Sequence, residues 1–215
     1  MKGRIVCIGG GGHAAAVIDI LQTLADISEA NPSIAGFTDM TPHAQAVLGV
    51  PCIGTDADLP GLVEANQLTH FIVAVGSTKG GGHLRTRLFF AAESAGLVPF
   101  TAVHPSAAVA SSACLGTGSV VMAGTVIQPR TEIGRNVIVN TGATIDHDCR
   151  IGDHVHVAPG AVLAGGVVLE DGCHIGIGAT IIQNIRIGRS ATVAAGATVI
   201  RDVAAETVVK GTPAR

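Results

Sequence analysis

Residues 139–169 read VNTGATIDHDCRIGDHVHVAPGAVLAGGVVL, and every sixth residue of this stretch, counted from Val139, is aliphatic. The same step, extended in both directions, runs from Val103 to Val199 over seventeen positions without a break. A period of six fits neither the 3.6-residue repeat of an α-helix nor the two-residue alternation of a simple strand. It predicts a triangular solenoid, in which each hexad supplies a short strand and a turn, and three hexads close one coil.

Within each hexad, we expect the aliphatic residue to point inward and the compact residue four places later to lie near the tight corner. Glycines that directly follow the aliphatics, such as Gly134 and Gly152, are expected to supply unusual turn dihedrals. Stacked coils bury a continuous aliphatic column, which explains why aromatics form only 2% of the chain and none lies after Phe100. The repeat specifies a scaffold only, because β-helices also occur as carbonic anhydrases and as non-catalytic modules.

The first hundred residues show a different pattern, in which strands alternate with helices. A buried strand over residues 4–8 leads into the glycine loop Gly9-Gly10-Gly11-Gly12-His13, and a helix follows. Further strands are predicted over residues 34–37 and 71–75, before a second helix and a linker near residues 98–102. A glycine turn between strand and helix presents backbone N–H groups to a phosphate.

Two domains are therefore predicted: an α/β domain that resembles half of a Rossmann fold at residues 1–100, and a parallel β-helix at residues 101–215. The fragment Gly9-x-Gly11-x-x-Ala14 formally matches the dinucleotide fingerprint, but this domain has no room for the second mononucleotide half. The pyrophosphate of a nucleotide sugar is the favoured ligand. NAD and a purely structural glycine turn are the alternatives.

Charge and cysteine content argue against several classes of partner. The net charge of -3 and the pI near 6.3 give no reason to expect nucleic acid or an anionic membrane. The five cysteines include no C-x-x-C pair and are typical of reduced thiols in the cytoplasm. Neither a signal peptide nor a run of about 18 apolar residues is found. We expect a cytoplasmic protein that does not bind membranes.

Histidines cluster in the middle of the repeat. His147 should point outward from a turn, where the carboxylates of Asp146 and Asp148 can make its imidazole a better base. His156 and His174 are expected on successive coils. A zinc site is one alternative, but the pair of histidines five residues apart that carbonic anhydrases on this scaffold use is missing, so no metal is expected. Solvated outward histidines are the other alternative.

The glycine loop, the Thr38-Asp39 strand end, the run NTGATIDHDCRIGDHVHV and the closing segment KGTPAR together resemble the hexapeptide-repeat nucleotide-sugar acetyltransferases. That family includes bacillosamine-pathway and perosamine N-acetyltransferases and the related sialic acid O-acetyltransferases. The resemblance implies a left-handed β-helix, a homotrimer, and direct transfer of acetyl from acetyl-CoA to the amine of a nucleotide-linked 4-amino-4,6-dideoxy sugar. The reaction is expected in a cleft between neighbouring β-helices. O-acetylation of a sialic-acid-like sugar and a non-catalytic ligand-binding β-helix are the alternatives.

Individual site residues follow from the same resemblance. His147 matches the general base and Asp148 the acid that raises its basicity, although some relatives carry the longer glutamate there. The residues that match acetyl-CoA contacts are His156, Gly165, Ile177 and Ala195, the last at a position where relatives have glycine. The residues that match contacts to the sugar nucleotide are Gly11, Gly12, His13, Thr38, Asp39 and Gly76.

Overall fold

The computed structural model describes residues 3–41, 44–76 and 82–215. These residues form two compact units. One contains the described residues up to Gly76 together with Leu84–Ala102, and the other contains Val103–Arg215. In the described part of the chain, no helix has both the length and the apolar character that a membrane span requires.

The N-terminal unit is a six-stranded sheet with three α-helices. Its elements are β1 (Arg4–Ile8), α1 (Gly12–Ile27), β2 (Ser33–Thr38), β3 (Ala46–Val47), β4 (Val50–Gly54), α2 (Leu59–Ala65), β5 (His70–Val73), α3 (Gly82–Ser94) and β6 (Val98–Pro99). The strand order is β3-β4-β2-β1-β5-β6. All neighbours are parallel except the β3–β4 hairpin, which confirms the predicted half-Rossmann arrangement around β1.

Two parts of this unit differ from the sequence-based prediction. The predicted linker contains β6, whose Val98 donates a backbone hydrogen bond to the carbonyl of Thr69 and so extends the sheet. The β3–β4 hairpin and α2 were not predicted. Pro51 lies inside β4 and β3 has only two residues, and both features weaken the sequence signal of a strand.

The second unit is built from two-residue strands, one for each hexad and a last one beyond the six-residue repeat. They are β7 (Ala102–Val103), β8 (Ala108–Val109), β9 (Cys114–Leu115), β10 (Val120–Val121), β11 (Val126–Ile127), β12 (Glu132–Ile133), β13 (Ile138–Val139), β14 (Thr144–Ile145), β15 (Arg150–Ile151), β16 (His156–Val157), β17 (Val162–Leu163), β18 (Val168–Leu169), β19 (His174–Ile175), β20 (Thr180–Ile181), β21 (Arg186–Ile187), β22 (Thr192–Val193), β23 (Thr198–Val199) and β24 (Val208–Val209).

These strands form the three faces of a left-handed parallel β-helix. The first face has the order β24-β22-β19-β16-β13-β10-β7, the second β23-β20-β17-β14-β11-β8, and the third β21-β18-β15-β12-β9. Most strands pair with the strand one coil away in a register of 18 residues, as Ile145 does with Leu163. The hexad aliphatics and the compact residues four places later fill one buried core, which confirms the predicted solenoid.

The glycines that follow the aliphatics have a different role from the one predicted. A Cβ on Gly134 would lie 2.7 Å from the carbonyl carbon of Gly152 on the next coil, so glycine there permits close stacking of the coils. The left-handed dihedrals occur two positions later instead, in a series that includes Gly142 at a φ of 65°. Arg130 and Asp148 occupy equivalent positions in that series, with φ values of 59° and 60°.

Candidate active site

Residues expected to bind the nucleotide lie at the carboxyl ends of neighbouring strands. The glycine loop follows β1, Thr38 ends β2, and Gly76 follows β5. Since β1 is parallel to both β2 and β5, these three ends share one edge of the sheet. Gly11 is the N-cap of α1 and Gly12 its first residue, so backbone N–H groups of the helix start lie at this edge.

Asp39 shapes the glycine loop. Its Oδ2 accepts a hydrogen bond from the N–H of Gly10 at 2.7 Å, and its Oδ1 accepts one from the N–H of Thr41 at 3.0 Å. The hydroxyl of Thr38 is buried and donates to Oδ1 of Asp56 at 2.7 Å. Burial raises the pKa of that Asp56 carboxyl. Both carboxylate oxygens of Asp39 therefore accept hydrogen bonds from backbone N–H groups.

His13 is a neutral imidazole at this edge. Burial, and then the charge of Arg85, lower its pKa from 6.5 to about 4. Arg85 is fully buried on α3, and burial lowers its own pKa to about 9. A Cβ on Gly76 would lie 3.7 Å from Cβ of His13, so the two residues are neighbours. Sequence analysis missed Arg85, because a single arginine in a helix carries no positional signal.

In the β-helix, His147 and Asp148 form a hydrogen-bonded pair. Nδ1 of His147 lies 2.6 Å from Oδ2 of Asp148, so the shorter aspartate does reach the imidazole. An ionised carboxylate only accepts hydrogen bonds, and therefore Nδ1 carries the proton and Nε2 keeps its lone pair. The N–H of His147 donates to Oδ1 of Asp146 at 2.8 Å, which fixes the turn.

Arg130 completes this group and was missed by sequence analysis. Its Nε lies 2.6 Å from Oδ1 of Asp148 and its Nη2 lies 2.8 Å from Oδ2. Hydrogen bonds from Arg130 and then from His147 hold the pKa of Asp148 well below its usual range. Arg130 precedes Asp148 by one coil, and this spacing was the signal that could have revealed it.

Gly165 lies one coil beyond His147, directly against its ring. A Cβ at Gly165 would be 2.7 Å from Cε1 and 2.8 Å from Nε2 of that imidazole. Around the pair the surface forms a depression of about 450 Å³. It is lined by Asp146, His147, Asp148, Ala164, Gly165, Gly166, Gln183 and Asn184. The imidazole side chain is 56% exposed, so a substrate can reach it.

His156 and His174 pair across β16 and β19, as the sequence predicts. Their ring centroids are 5.0 Å apart in an edge-on arrangement. His156 is only 6% exposed, and its Nε2 lies 3.2 Å from Nδ2 of Asn140, which sequence analysis also did not assign to the site. Burial lowers the pKa of His174, which favours the neutral ring.

One chain does not bring all of the expected site residues together. His147 and Gly165 lie at the corner between the second and third faces, whereas His156 lies on the first face, opposite that corner. Ile177 and Ala195 lie at a third place, the corner between the first and second faces, where Ile177 is 62% exposed. The hydrophobic core of the β-helix separates these places.

Thiol and metal chemistry have little support among the described residues. Burial raises the pKa of Cys149, the neighbour of Asp148, to about 11, and its thiol donates to the carbonyl of Ala164 at 3.3 Å. Such a thiol is a poor nucleophile. In residues 3–41, 44–76 and 82–215, no three His, Cys, Asp or Glu side chains are grouped so that they could hold a metal ion.

Comparison with known proteins agrees with this architecture. Residues 4–83 match the PglD N-terminal domain family, and residues 130–165 match the family described as bacterial transferase hexapeptide (six repeats). A search of curated proteins finds no match. PerB from Caulobacter crescentus, solved with CoA and GDP-perosamine, is 40% identical, with a TM-score of 0.89 over 100% of this chain and 97% of that one. The chain belongs to the hexapeptide-repeat nucleotide-sugar acetyltransferases.

Two further solved structures are closely similar to this chain. The acetyltransferase domain of PglB from Neisseria gonorrhoeae, solved with acetyl coenzyme A, is 34% identical, with a TM-score of 0.88 over 100% of this chain and 99% of that one. WeeI from Acinetobacter baumannii is 25% identical, with a TM-score of 0.86 and the same coverage. Similarity of this extent includes both units of the chain.

Proposed function

We propose that this acetyltransferase moves the acetyl group of acetyl-CoA to the amine of a nucleotide-linked 4-amino-4,6-dideoxy sugar. The observation that carries this proposal is the 2.6 Å contact between His147 and Asp148 in an open depression, which leaves Nε2 available as a base. The similarity to PerB, which was solved with CoA and GDP-perosamine, supports the choice of an amino sugar and of the cofactor.

The reaction proceeds by direct attack. The neutral amine of the sugar adds to the thioester carbonyl while Nε2 of His147 takes a proton from the nitrogen. Collapse of the tetrahedral intermediate breaks the carbon–sulfur bond, and the imidazolium returns the proton to the departing CoA thiolate. The carboxylate of Asp148 stabilises the imidazolium between these steps. General-base help of this kind contributes about 10²–10⁴-fold in rate.

The N-terminal unit binds the nucleotide. The glycine loop and the first N–H groups of α1 are suited to phosphate oxygens, and the hydrogen bond between Gly10 and Asp39 fixes the shape of the loop. In the described residues around the loop, open space lies where a Cβ of Gly11 or Gly12 would be, which suits close approach of a ligand. The five free cysteines fit a reducing, cytoplasmic location.

Each acetyl-transfer site is shared between two copies of the chain in a homotrimer. His147 and His156 lie on opposite sides of one β-helix, so a single acetyl-CoA can meet both only if a neighbouring copy supplies one of them. The base and Gly165 come from one copy, and His156 with Asn140 comes from the next, where their donors stabilise the developing oxyanion.

Mixed oligomers test this sharing. We expect the variants His147→Ala and His156→Ala to have little activity alone. When they are co-expressed in equal amounts, a site that uses one residue from each copy is intact in about a quarter of cases, so activity returns to about a quarter of wild type. If the mixture stays inactive while mixed oligomers form, both histidines act from the same chain and the sharing proposal is wrong.

The acceptor is identified with a panel of UDP-, GDP- and dTDP-linked 4-amino-4,6-dideoxy sugars, each incubated with acetyl-CoA and followed by free-thiol release and product mass. Matched sugars with a hydroxyl in place of the amine form the control panel. Turnover with one amino sugar and none with its hydroxyl counterpart supports N-acetylation. Turnover of hydroxyl sugars alone supports O-acetylation, and absence of turnover and of acetyl-CoA binding supports a non-catalytic β-helix.

A further inference from the structure

Arg130 makes a two-point ion pair with the acid of the proposed catalytic pair. Nε and Nη2 of Arg130 contact the two oxygens of Asp148 separately, at 2.6 and 2.8 Å. Oδ2 of Asp148 is also the oxygen that faces Nδ1 of His147 at 2.6 Å. The guanidinium, the carboxylate and the imidazole therefore form a chain of three groups that share one oxygen atom.

The geometry of the β-helix produces this chain. Arg130 and Asp148 both have left-handed backbone dihedrals and lie at the same turn position on successive coils. Their backbones are also tied together, because the N–H of Asp148 donates to the carbonyl of Pro129 at 3.1 Å. Below them, the N–H of Arg130 donates to the hydroxyl of Ser112 at 3.2 Å. The arginine is thus held at the corner by the turn, while its side chain remains 67% exposed.

From this arrangement we infer that Arg130 is a positioning residue for the His147 base, an inference that rests on the proposed function. A planar guanidinium binds a carboxylate in a fixed plane, whereas a lone carboxylate on a surface turn rotates freely. With its plane fixed, Asp148 presents Oδ2 to Nδ1, and Nε2 of the imidazole points into the depression.

The charge of Arg130 has a second effect. A carboxylate favours the imidazolium, and an arginine on that carboxylate weakens this preference. The other titratable groups next to His147 are Asp146, which accepts its N–H, and Cys149, whose thiol points to the carbonyl of Ala164. Arg130 is the cation of this set, so its charge opposes the preference of the two carboxylates for the imidazolium.

The test compares Arg130→Gln and Arg130→Lys with a matched control, Arg189→Gln. Arg189 also pairs with an aspartate one coil away, because its Nη1 lies 3.1 Å from Oδ2 of Asp171, and its side chain is 64% exposed. In the part of the chain that the structure describes, no imidazole forms a hydrogen bond or ion pair with Asp171. The measurements are kcat, KM for each substrate, and the pH dependence of kcat/KM with the amino sugar identified above.

For Arg130→Gln we expect kcat to fall about 10- to 100-fold, less than on removal of the base itself, with both KM values little changed. The acid limb of the pH profile moves to higher pH, because the cation that disfavours the imidazolium is gone. Arg130→Lys keeps the charge but not the two-point contact, so it retains the wild-type acid limb and recovers only part of kcat. Arg189→Gln matches wild type.

Two results would overturn the inference. If Arg130→Gln has wild-type kinetics and a wild-type pH profile, the ion pair between Arg130 and Asp148 has no effect on catalysis. A loss confined to KM would make Arg130 a substrate-binding group instead.

A readout without turnover separates this inference from the proposed function. The ¹⁵N spectrum of the His147 ring reports which nitrogen carries the proton. Wild type should show a single Nδ1–H form, and Arg130→Gln a mixture of tautomers. If wild type transfers no acetyl group but the tautomer changes as expected, the proposed function fails and the positioning role stands. If the tautomer is unaffected in an active enzyme, only the positioning role fails.

Discussion

Gly165 lies so close to His147 that any side chain at this position would displace the imidazole, since a Cβ there would be 2.7 Å from Cε1 of the ring. Residues 147 and 165 lie in equivalent corner turns of successive coils, so Gly165 stacks directly beyond His147. Glycine is needed here for space. The sequence resemblance implies that Gly165 contacts the cofactor. The structure adds a second reason for glycine here, which is the space that the imidazole of His147 occupies.

Gly165→Ala should therefore reduce activity without unfolding the protein. The ring is more than half exposed and can swing away, so the added methyl displaces the base and leaves the core intact. We expect kcat to fall about tenfold or more, within the range for a misplaced general base, and Tm to change little. Gly61→Ala, in the open space on α2, is the control and should keep wild-type kcat, with Tm unchanged or slightly higher because alanine favours the helix. Normal kcat in Gly165→Ala would show that the ring position is not critical.

Replacement of Asp148 by asparagine or glutamate separates the effect of its charge from the effect of its side-chain length. Asp148→Asn keeps the shape of the side chain but removes the negative charge that stabilises the imidazolium and binds Arg130, so kcat should fall about 10- to 100-fold. Asp148→Glu keeps the charge and the residue type of some relatives, and it should retain more activity than the asparagine variant. Equal activities of the two variants would mean that the charge at residue 148 does not matter for the rate.

The pKa of His13, lowered to about 4 from its ordinary 6.5, couples stability of the N-terminal unit to pH. Between pH 4 and pH 6.5, His13 is largely protonated in the unfolded chain but neutral in the folded chain. The contribution of His13 to the free energy of unfolding is therefore fully present above pH 6.5. It is lost as the pH falls toward 4, and the total loss is about 3 kcal/mol. Urea unfolding of wild type and His13→Gln at pH 7 and pH 5 measures this. The same pH dependence in both proteins would exclude His13 as the cause.

The aliphatic column should respond strongly to cavities. Leu163 is fully buried, whereas its strand neighbour Val162 points outward and is 41% exposed. Leu163→Ala should lower the free energy of unfolding by about 2–5 kcal/mol, and Val162→Ala by less than about 0.5 kcal/mol. Chemical unfolding followed by circular dichroism compares the two. Similar losses would mean that the hexad position does not define the core.

The fold was largely predictable because the hexad repeat is regular. From Val103 to Val199, each step of six fixes which residue is inside, and the buried core confirms it. In the N-terminal unit, the sequence predicted the three buried strands β1, β2 and β5 and the helices α1 and α3. The β3–β4 hairpin and α2 are short, and Pro51 interrupts the strand pattern, so tertiary pairing rather than local sequence defines them.

The site was predictable where its residues are adjacent in sequence, as His147 and Asp148 are. Arg130 was missed because its partner lies 18 residues away, and only the stacking of coils brings them together. The separation of His147 from His156 was also missed. Nine residues carry the chain around half of a coil, so close spacing in sequence places the two histidines on opposite sides of the β-helix.

Removal of the proposed base tests the central claim most directly. The measurement is kcat/KM for acetyl transfer from acetyl-CoA to the best amino-sugar acceptor, in wild type, in His147→Ala and in a control, His104→Ala, which alters a histidine of the first coil. We predict efficient transfer by wild type and His104→Ala, and a loss of about 10²–10⁴-fold in His147→Ala with intact fold. Transfer by His147→Ala at the wild-type rate would contradict this account of the active site.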